Sequence, residues 1–416
     1  MNFKIFLLVI LPFLFLSCHN NDFEEEEEEE EIDDNTVLVY MVGDNSLNGN
    51  VSSDMSEMKE GYESIDSPDK NNLLVYVDDY DTPVLIQIKM ENGEAVNDTL
   101  ETYDEMDSCD ADKIKNVINY VKSNFKAYHY GLVLWSHGSG SKPASLAHVK
   151  SFGWDQDNNQ NGSDNATTMD IPDLKTSILS TDISFDYILF DACEMQTIEV
   201  AYELKDCTDY IIASPWDISV DGGPYDKIIP HCLYNTPFLF KIPSLSSNIS
   251  SAIATDFYDY YKAKGDDDVG VLISVIKTEY LEDLAEKTDT IITNYLDKGE
   301  SINSDNVFNY EDSKVNYFYD FKSLIISLIK NKDIDYENNK DYIAWSSAYE
   351  NAVPVYLKTE EYKIVSSLSQ VTTSSNGSYG ISTYIFNNQN STSTSYDVKW
   401  YIYEWYTAAG WANMGY

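Results

Sequence analysis

Residues 185–193 read Phe185-Asp186-Tyr187-Ile188-Leu189-Phe190-Asp191-Ala192-Cys193. A nearly unbroken apolar run is the pattern of a strand buried on both faces of a parallel sheet. This run delivers an acid and a thiol to its C-terminal tip, and a helical spacing follows it (Met195, Ile198, Ala201, Leu204). In open α/β sheets the chemistry gathers at the carboxyl ends of such strands. A second run, Tyr130-Gly131-Leu132-Val133-Leu134-Trp135-Ser136-His137-Gly138, carries an imidazole at its own tip. Adjacent strands lie about 5 Å apart, so if the two runs are neighbours, His137 and Cys193 face each other across one crevice.

The bulk composition narrows the function classes. A chain of 416 residues can bury a core for one large α/β domain with additions, or for two domains. The basic residues are all lysine, 27 against 71 acids, for a net charge of −44. Nucleic-acid binding needs a cationic surface, so that class is excluded. An acidic surface instead favours solubility and draws cations or basic substrates. Of the five cysteines, Cys109, Cys207 and Cys232 show neither metal-site nor disulfide spacing and are read as small apolar side chains.

The N-terminus reads as an address. Lys4 precedes a short apolar core over residues 5–16, too short to span a bilayer, so residues 1–17 are a signal peptide. Phe15-Leu16-Ser17-Cys18 resembles a bacterial lipoprotein cleavage box, with Cys18 as the lipidated residue, although Phe15 stands where leucine is usual. The alternative is an ordinary signal peptide cut nearby. Residues 18–35, which include eight consecutive glutamates at 24–31, are expected to be an extended, charge-repelled tether. Such an acidic stretch also resembles the signal that sends some lipoproteins to the outer face of the outer membrane. A plain solvated linker is the alternative.

From residue 36 the pattern alternates strand and helix. Strands are expected over residues 36–44, 72–79, 130–138, 185–193 and 210–214, with residues 84–90 as a hairpin or edge strand. Helices are expected near 51–62, 110–125 and 174–179, and directly after Cys193. This order implies a mainly parallel sheet covered on both faces. Residues 36–235 are taken as the core. Residues 236–416 carry helices near 245–263, 278–296, 320–329 and 342–352, strands near 269–276 and 378–386, and an amphipathic end at 396–411.

A thiol attacks carbonyls as thiolate, and a neighbouring imidazole both lowers its pKa and supplies a proton to the leaving amine. Gly138 leaves a backbone N–H free to face an oxyanion, and the N–H of Cys193, at a helix start, is a second donor. A buried cysteine at a strand end is also often just a small hydrophobe.

Three segments in order, Tyr40-Met41-Val42-Gly43-Asp44-Asn45-Ser46-Leu47, Leu134-Trp135-Ser136-His137-Gly138-Ser139-Gly140 and Phe190-Asp191-Ala192-Cys193-Glu194-Met195, resemble the clostripain family of cysteine peptidases. The likeness runs over residues 36–229, with echoes at 319–321 and 380–382. It implies a caspase-like three-layer α/β sandwich, with His137 as general acid/base and Cys193 as nucleophile. It also implies cleavage after lysine or arginine, with Asp191 in the pocket for the basic side chain. A carboxylate about 4 Å from a cation gains roughly 4 kcal/mol at an effective dielectric of 20, before desolvation. Helix capping is the competing role for Asp191, and Asp217 is read as a second pocket charge.

The polar loop at 139–168 is long enough to be functional. Family members are often activated by a cut between the histidine and the cysteine. With no arginine in the chain, this loop offers only Lys142 and Lys150, and Lys150 is the self-cleavage candidate. Asp155, Asp157, Asn159 and Asn161 alternate oxygen ligands as calcium loops do, although Gly162 is misplaced for an EF-hand. Calcium is therefore the one candidate cofactor, with a solvated turn cluster as the alternative.

The expectation is a monomeric, lipid-anchored endopeptidase of the outer membrane, acting on peptide or protein substrates and touching the membrane only through its lipid. Two rivals stand beside it. One is a catalytically silent surface-binding lipoprotein on the same fold, and the other is a peptidase cutting after acidic residues, which Asp191 would repel.

Overall fold

The computed structural model describes residues 32–142, 151–156, 166–233, 243–265, 270–311, 317–365, 370–389 and 400–416. The chain enters β1 (Asp33–Val42), α1 (Asn48–Glu63), β2 (Asn71–Asp78), β3 (Val84–Glu91), β4 (Glu94–Thr102), α2 (Ala111–Asn124) and β5 (Ala127–Trp135). It continues through β6 (Phe152–Asp155), β7 (Thr167–Met169), α3 (Ile171–Leu179), β8 (Phe185–Asp191), α4 (Ile198–Glu203) and β9 (Thr208–Ala213). Next come α5 (Tyr225–Cys232), α6 (Pro243–Lys264), β10 (Leu272–Lys277), α7 (Leu281–Tyr295), β11 (Tyr319–Asp320), α8 (Phe321–Lys330) and α9 (Lys340–Ala352). The chain closes with β12 (Val355–Lys358), β13 (Glu361–Val365), β14 (Gln370–Ser374), β15 (Ser382–Thr383), α10 (Glu404–Ala408) and α11 (Trp411–Met414).

Nine strands form one sheet in the order β12-β10-β9-β8-β5-β1-β2-β3-β4. The inner strands β2, β1, β5, β8 and β9 pair in parallel. Antiparallel strands complete both edges, β3 and β4 on one side and β10 and β12 on the other. Successive side chains of a strand point to opposite faces, and β1 shows the consequence. Leu38, Tyr40 and Val42 join the core under α2, α3, α4, α7, α8 and α9. Val37, Val39 and Met41 join the core under α1, α5 and α6. The chain is thus a three-layer α/β sandwich around a largely parallel sheet.

The long apolar runs declare their strands, and β5 and β8 are hydrogen-bonded neighbours as expected. Three readings need correction. The helix after Cys193 starts only at Ile198, with Thr197 as its N-cap accepting from the Val200 amide at 3.1 Å. The intervening residues are claimed by other partners: Gln196 N donates to Ser214 O at 2.9 Å, and Gln196 O accepts from Ser382 N at 3.0 Å. Cys193 therefore sits in a turn, not at a helix N-terminus, and Asp191 is no helix cap. The strand expected over 378–386 shrinks to β15, which pairs only with β11, and the amphipathic end resolves into the short α10 and α11.

The later elements are built into the same body. Residues Ile32–Tyr416 make one compact unit. Gln196 Nε2 donates to Ser274 O on β10 at 2.8 Å, and the buried Glu199 accepts from Thr383 Oγ1 at 2.8 Å and Tyr384 N at 3.0 Å. Among the described residues no helix is long and apolar enough to cross a membrane.

Candidate active site

The register of β5 and β8 sets the site. Trp135 lies opposite Asp191, and Ser136 N donates to Asp191 O at 3.3 Å. His137 and Cys193 each follow two residues later, on level loops at the carboxyl ends of adjoining strands. Gly138 lets them close up: a Cβ there would clash with Cys193 O and meet Met195 Sδ at 2.9 Å and Ala192 Cβ at 3.0 Å. Only glycine permits this approach. Gly138 bridges to Phe152 through its neighbours, with Ser139 N on Ser151 O and Gly153 N on His137 O, both at 3.0 Å. That pattern leaves the Gly138 amide outside the ladder.

The first strand supplies the third wall. Asn45 Nδ2 donates to Val42 O at 2.8 Å and Trp154 O at 2.7 Å, while its Oδ1 accepts from Leu47 N at 2.8 Å. This arrangement holds Ser46 so that its Oγ lies 2.9 Å from His137 Nε2. Trp154 packs on the imidazole with ring centroids 5.2 Å apart.

His137, Cys193 and Asp191 all line one narrow cavity of about 80 Å³, walled by Leu47, Trp135 and Val220. Asp191 is 3% exposed. Its Oδ2 accepts from Tyr225 Oη at 2.7 Å and Gly223 N at 2.9 Å, while its Oδ1 is a buried acceptor without a hydrogen bond. Burial pushes its carboxyl up, and the two hydrogen bonds oppose the shift. Behind the wall, Trp135 Nε1 donates to Asp54 Oδ2 at 2.8 Å, and burial followed by the charge of Asp191 pushes Asp54 up to about 8. The cavity is thus lined by a buried carboxylate with one oxygen unsatisfied and by an aromatic wall.

Asp217, expected beside Asp191, is not among the residues lining this cavity. It interacts with the Cys193 thiol, and burial pushes its carboxyl up to about 6 against the pull of Lys142. The thiol receives Ile218 N at 3.5 Å. Burial, and then the charge of Asp217, push the thiol well above the usual range, against the Ile218 amide that favours the thiolate.

The other predicted positions fall elsewhere. Cys18 and Lys150 lie outside the described residues, as do Asp157, Asn159 and Asn161. Asp155 turns into the interior, where its Oδ2 accepts from Ser108 N at 2.5 Å. Among the described residues no group of three or more His, Cys, Asp or Glu side chains is placed to hold a metal. Lys142, the second lysine of the loop, is 8% exposed and salt-bridged to Glu194 at 2.9 Å and Glu311 at 3.2 Å, so this structure withholds it from any cleaving site. Sequence reading missed Ser46, Asp54 and Tyr225. Only the Gly43-Asp44-Asn45-Ser46 tip hinted at the first, because a strand tip next to β5 must face the same crevice.

A sandwich with a thiol and an imidazole on adjoining strand tips defines the class, and comparison with known proteins gives the family. The model of the clostripain family, Peptidase_C11, matches residues 39–414, and the chain belongs to that family. Clostripain of Hathewaya histolytica is 30% identical over 223 residues, 46% of this chain and 41% of that protein, so the match spans under half of that relative's length. A secreted C11 cysteine protease from Bacteroides thetaiotaomicron, solved with an irreversible peptide inhibitor, superposes with a TM-score of 0.76 at 34% identity. An inactive zymogen C11 protease from Parabacteroides distasonis gives 0.74 at 27%. Each covers 91% of this chain and 99% of its own.

Proposed function

We propose that this protein is a cysteine endopeptidase that cleaves after lysine or arginine. The observation that carries the reading is the single cavity shared by Cys193, His137 and Asp191. In this scheme the basic side chain enters past Trp135, and its cation meets the unsatisfied Asp191 Oδ1. The Cys193 thiol passes its proton to His137, and the thiolate attacks the carbonyl carbon. The oxyanion is met by the amides of Gly138 and Cys193. His137 then protonates the leaving amine, and water hydrolyses the thioester.

Self-cleavage at Lys150, an outer-membrane lipid anchor at Cys18, a monomeric state and a calcium requirement belong to the same proposal. The anchor, the cleavage site and calcium binding are supported by the sequence features at Cys18, Lys150 and residues 155–161 that suggested them. The test is turnover of fluorogenic peptides ending in Arg, Lys, Asp or Ala, with calcium or with chelator, beside Cys193→Ala. Arg or Lys turnover that the variant lacks supports the reading. Asp-ending turnover, or none from intact and loop-cleaved protein alike, overturns it, and the latter favours a silent binding protein on this fold.

A further inference from the structure

The loop behind the nucleophile is held by a group that the scheme above leaves unused. Lys142 is almost wholly buried. Its ammonium lies 2.9 Å from Glu194 Oε2 and 3.2 Å from Glu311 Oε1, and 4.3 Å from the Phe318 ring centroid. Glu194 is the residue directly after Cys193, and its backbone has φ of 63°, a left-handed conformation unfavourable for a side chain of this kind. Two ties hold it there: Glu194 N donates to Trp216 O at 2.9 Å, and its carboxylate meets Lys142. Gly140, at φ +59°, lets the Lys142 loop approach, because a Cβ there would meet Glu194 O at 2.5 Å. Glu311, from the C-terminal part, is itself fixed by the amides of Tyr317 and Phe318.

The charges around the thiol are unbalanced. Glu194 flanks it on its own turn, Asp217 faces it from the turn after β9, and Glu311 reaches Glu194 from the C-terminal part. Asp191 and His137 lie on the cavity side, and Tyr362 faces Asp217. Lys142 is the cation set among the three carboxylates. Burial pulls it down, but Glu194 and Glu311 outweigh that and keep it charged.

We propose that Lys142 is a positioning residue for Cys193, pinning the strained Cys193–Glu194 turn from behind and supplying the positive charge without which the surrounding carboxylates would suppress the thiolate. The catalytic part of this inference rests on the peptidase reading, whereas its physical part does not. If Lys142 is removed, Glu194, which burial pushes up to about 8, and Asp217, pushed up to about 6, lose the cation that lowers them. Once ionised at higher pH they oppose the thiolate uncompensated, and thiolate formation moves to higher pH. If Glu311 loses its charge, the opposite follows.

The test is the pH dependence of Cys193 alkylation by iodoacetamide in the full chain, read on the Cys193 peptide by mass spectrometry. This readout needs no turnover, so it stays informative even if no peptide is cleaved. Lys142→Met is expected to slow alkylation at pH 7 by about tenfold or more, corresponding to a shift of about one pH unit or more. Lys142→Arg, which keeps the cation, should retain most of the rate. Glu311→Gln should move the profile to lower pH, and it stands as the arm to read if Lys142→Met does not fold. Profiles unmoved in folded Lys142→Met, or in Glu311→Gln, overturn the proposal; loss of stability alone would leave them unmoved.

Discussion

At the residue scale the protein depends on how a few buried side chains hold their protons. Asp191 has one oxygen committed to Tyr225 and Gly223 and one left open. A lysine or arginine entering the cavity would supply the missing partner and lower the carboxyl, reversing the effect of burial. Asp191→Asn keeps the shape and removes the charge. Its kcat/KM for Arg- or Lys-ending peptides should fall by about 10²-fold, or ~2.7 kcal/mol, with little change for an Ala-ending peptide. Steady-state kinetics on the paired substrates check this, and an equal loss on all peptides would mean that Asp191 supports the fold rather than selects the substrate. The thiol belongs to the same scale. Burial and the charge of Asp217 disfavour its thiolate, so in the proposed reaction its proton passes to His137 as the substrate arrives.

Two strand tips meet because of glycine at the element scale. The apolar runs of β5 and β8 fix their register, and the level tips follow from pairing Trp135 with Asp191. The chain beyond them could still splay. Gly138 prevents this by letting the histidine turn rest on the Cys193 carbonyl and the side chains of Ala192 and Met195. Gly138→Ala would force a separation of several tenths of an ångström or more. It should cost about 1–3 kcal/mol of stability and lower turnover by more than about 10²-fold. Thermal unfolding and kcat separate the two effects, and a folded variant with full activity would show that the approach is dispensable. The edges of the sheet are less legible at this scale. β4 and the short β12 have no fully buried residue and weak alternation, and they form because β3 and β10 offer open edges to pair with.

Across the whole molecule, buried acids set the response to pH. Asp54 is pushed up to about 8 and Asp78 to about 9, burial being the main cause in each; Ser108 Oγ donates to Asp78 at 2.5 Å. Burial thus favours the protonated form of both in the fold, at pH values where the unfolded carboxylates have released theirs. Between the unfolded carboxylate pKa near 4 and these raised values, the native state binds more protons than the unfolded one. The stability they contribute is therefore full at acid pH and lost as pH rises to about 8–9, by up to ~1.4 kcal/mol per unit and group. The melting temperature should fall steadily from pH 5 to 9. Asp78→Asn should flatten that slope, and a slope unchanged in the variant would mean that Asp78 is ionised in the fold.

The sequence by itself determined the sheet core and the two strand tips that carry Cys193 and His137. A buried parallel strand must be continuously apolar, and its tip is where polar chemistry can surface, so Cys193 and His137 announce themselves. Tertiary structure alone decided the rest. The helix expected at Cys193 gives way to a turn because Gln196 and Ser382 find each other across 186 residues. Asp54 joins the pocket through Trp135 over 81 positions, and Lys142 reaches Glu311 through the fold. Local periodicity records which face of an element is buried. It carries no trace of which distant charge will share that burial, and desolvation makes such pairings matter only once the chain has closed around them.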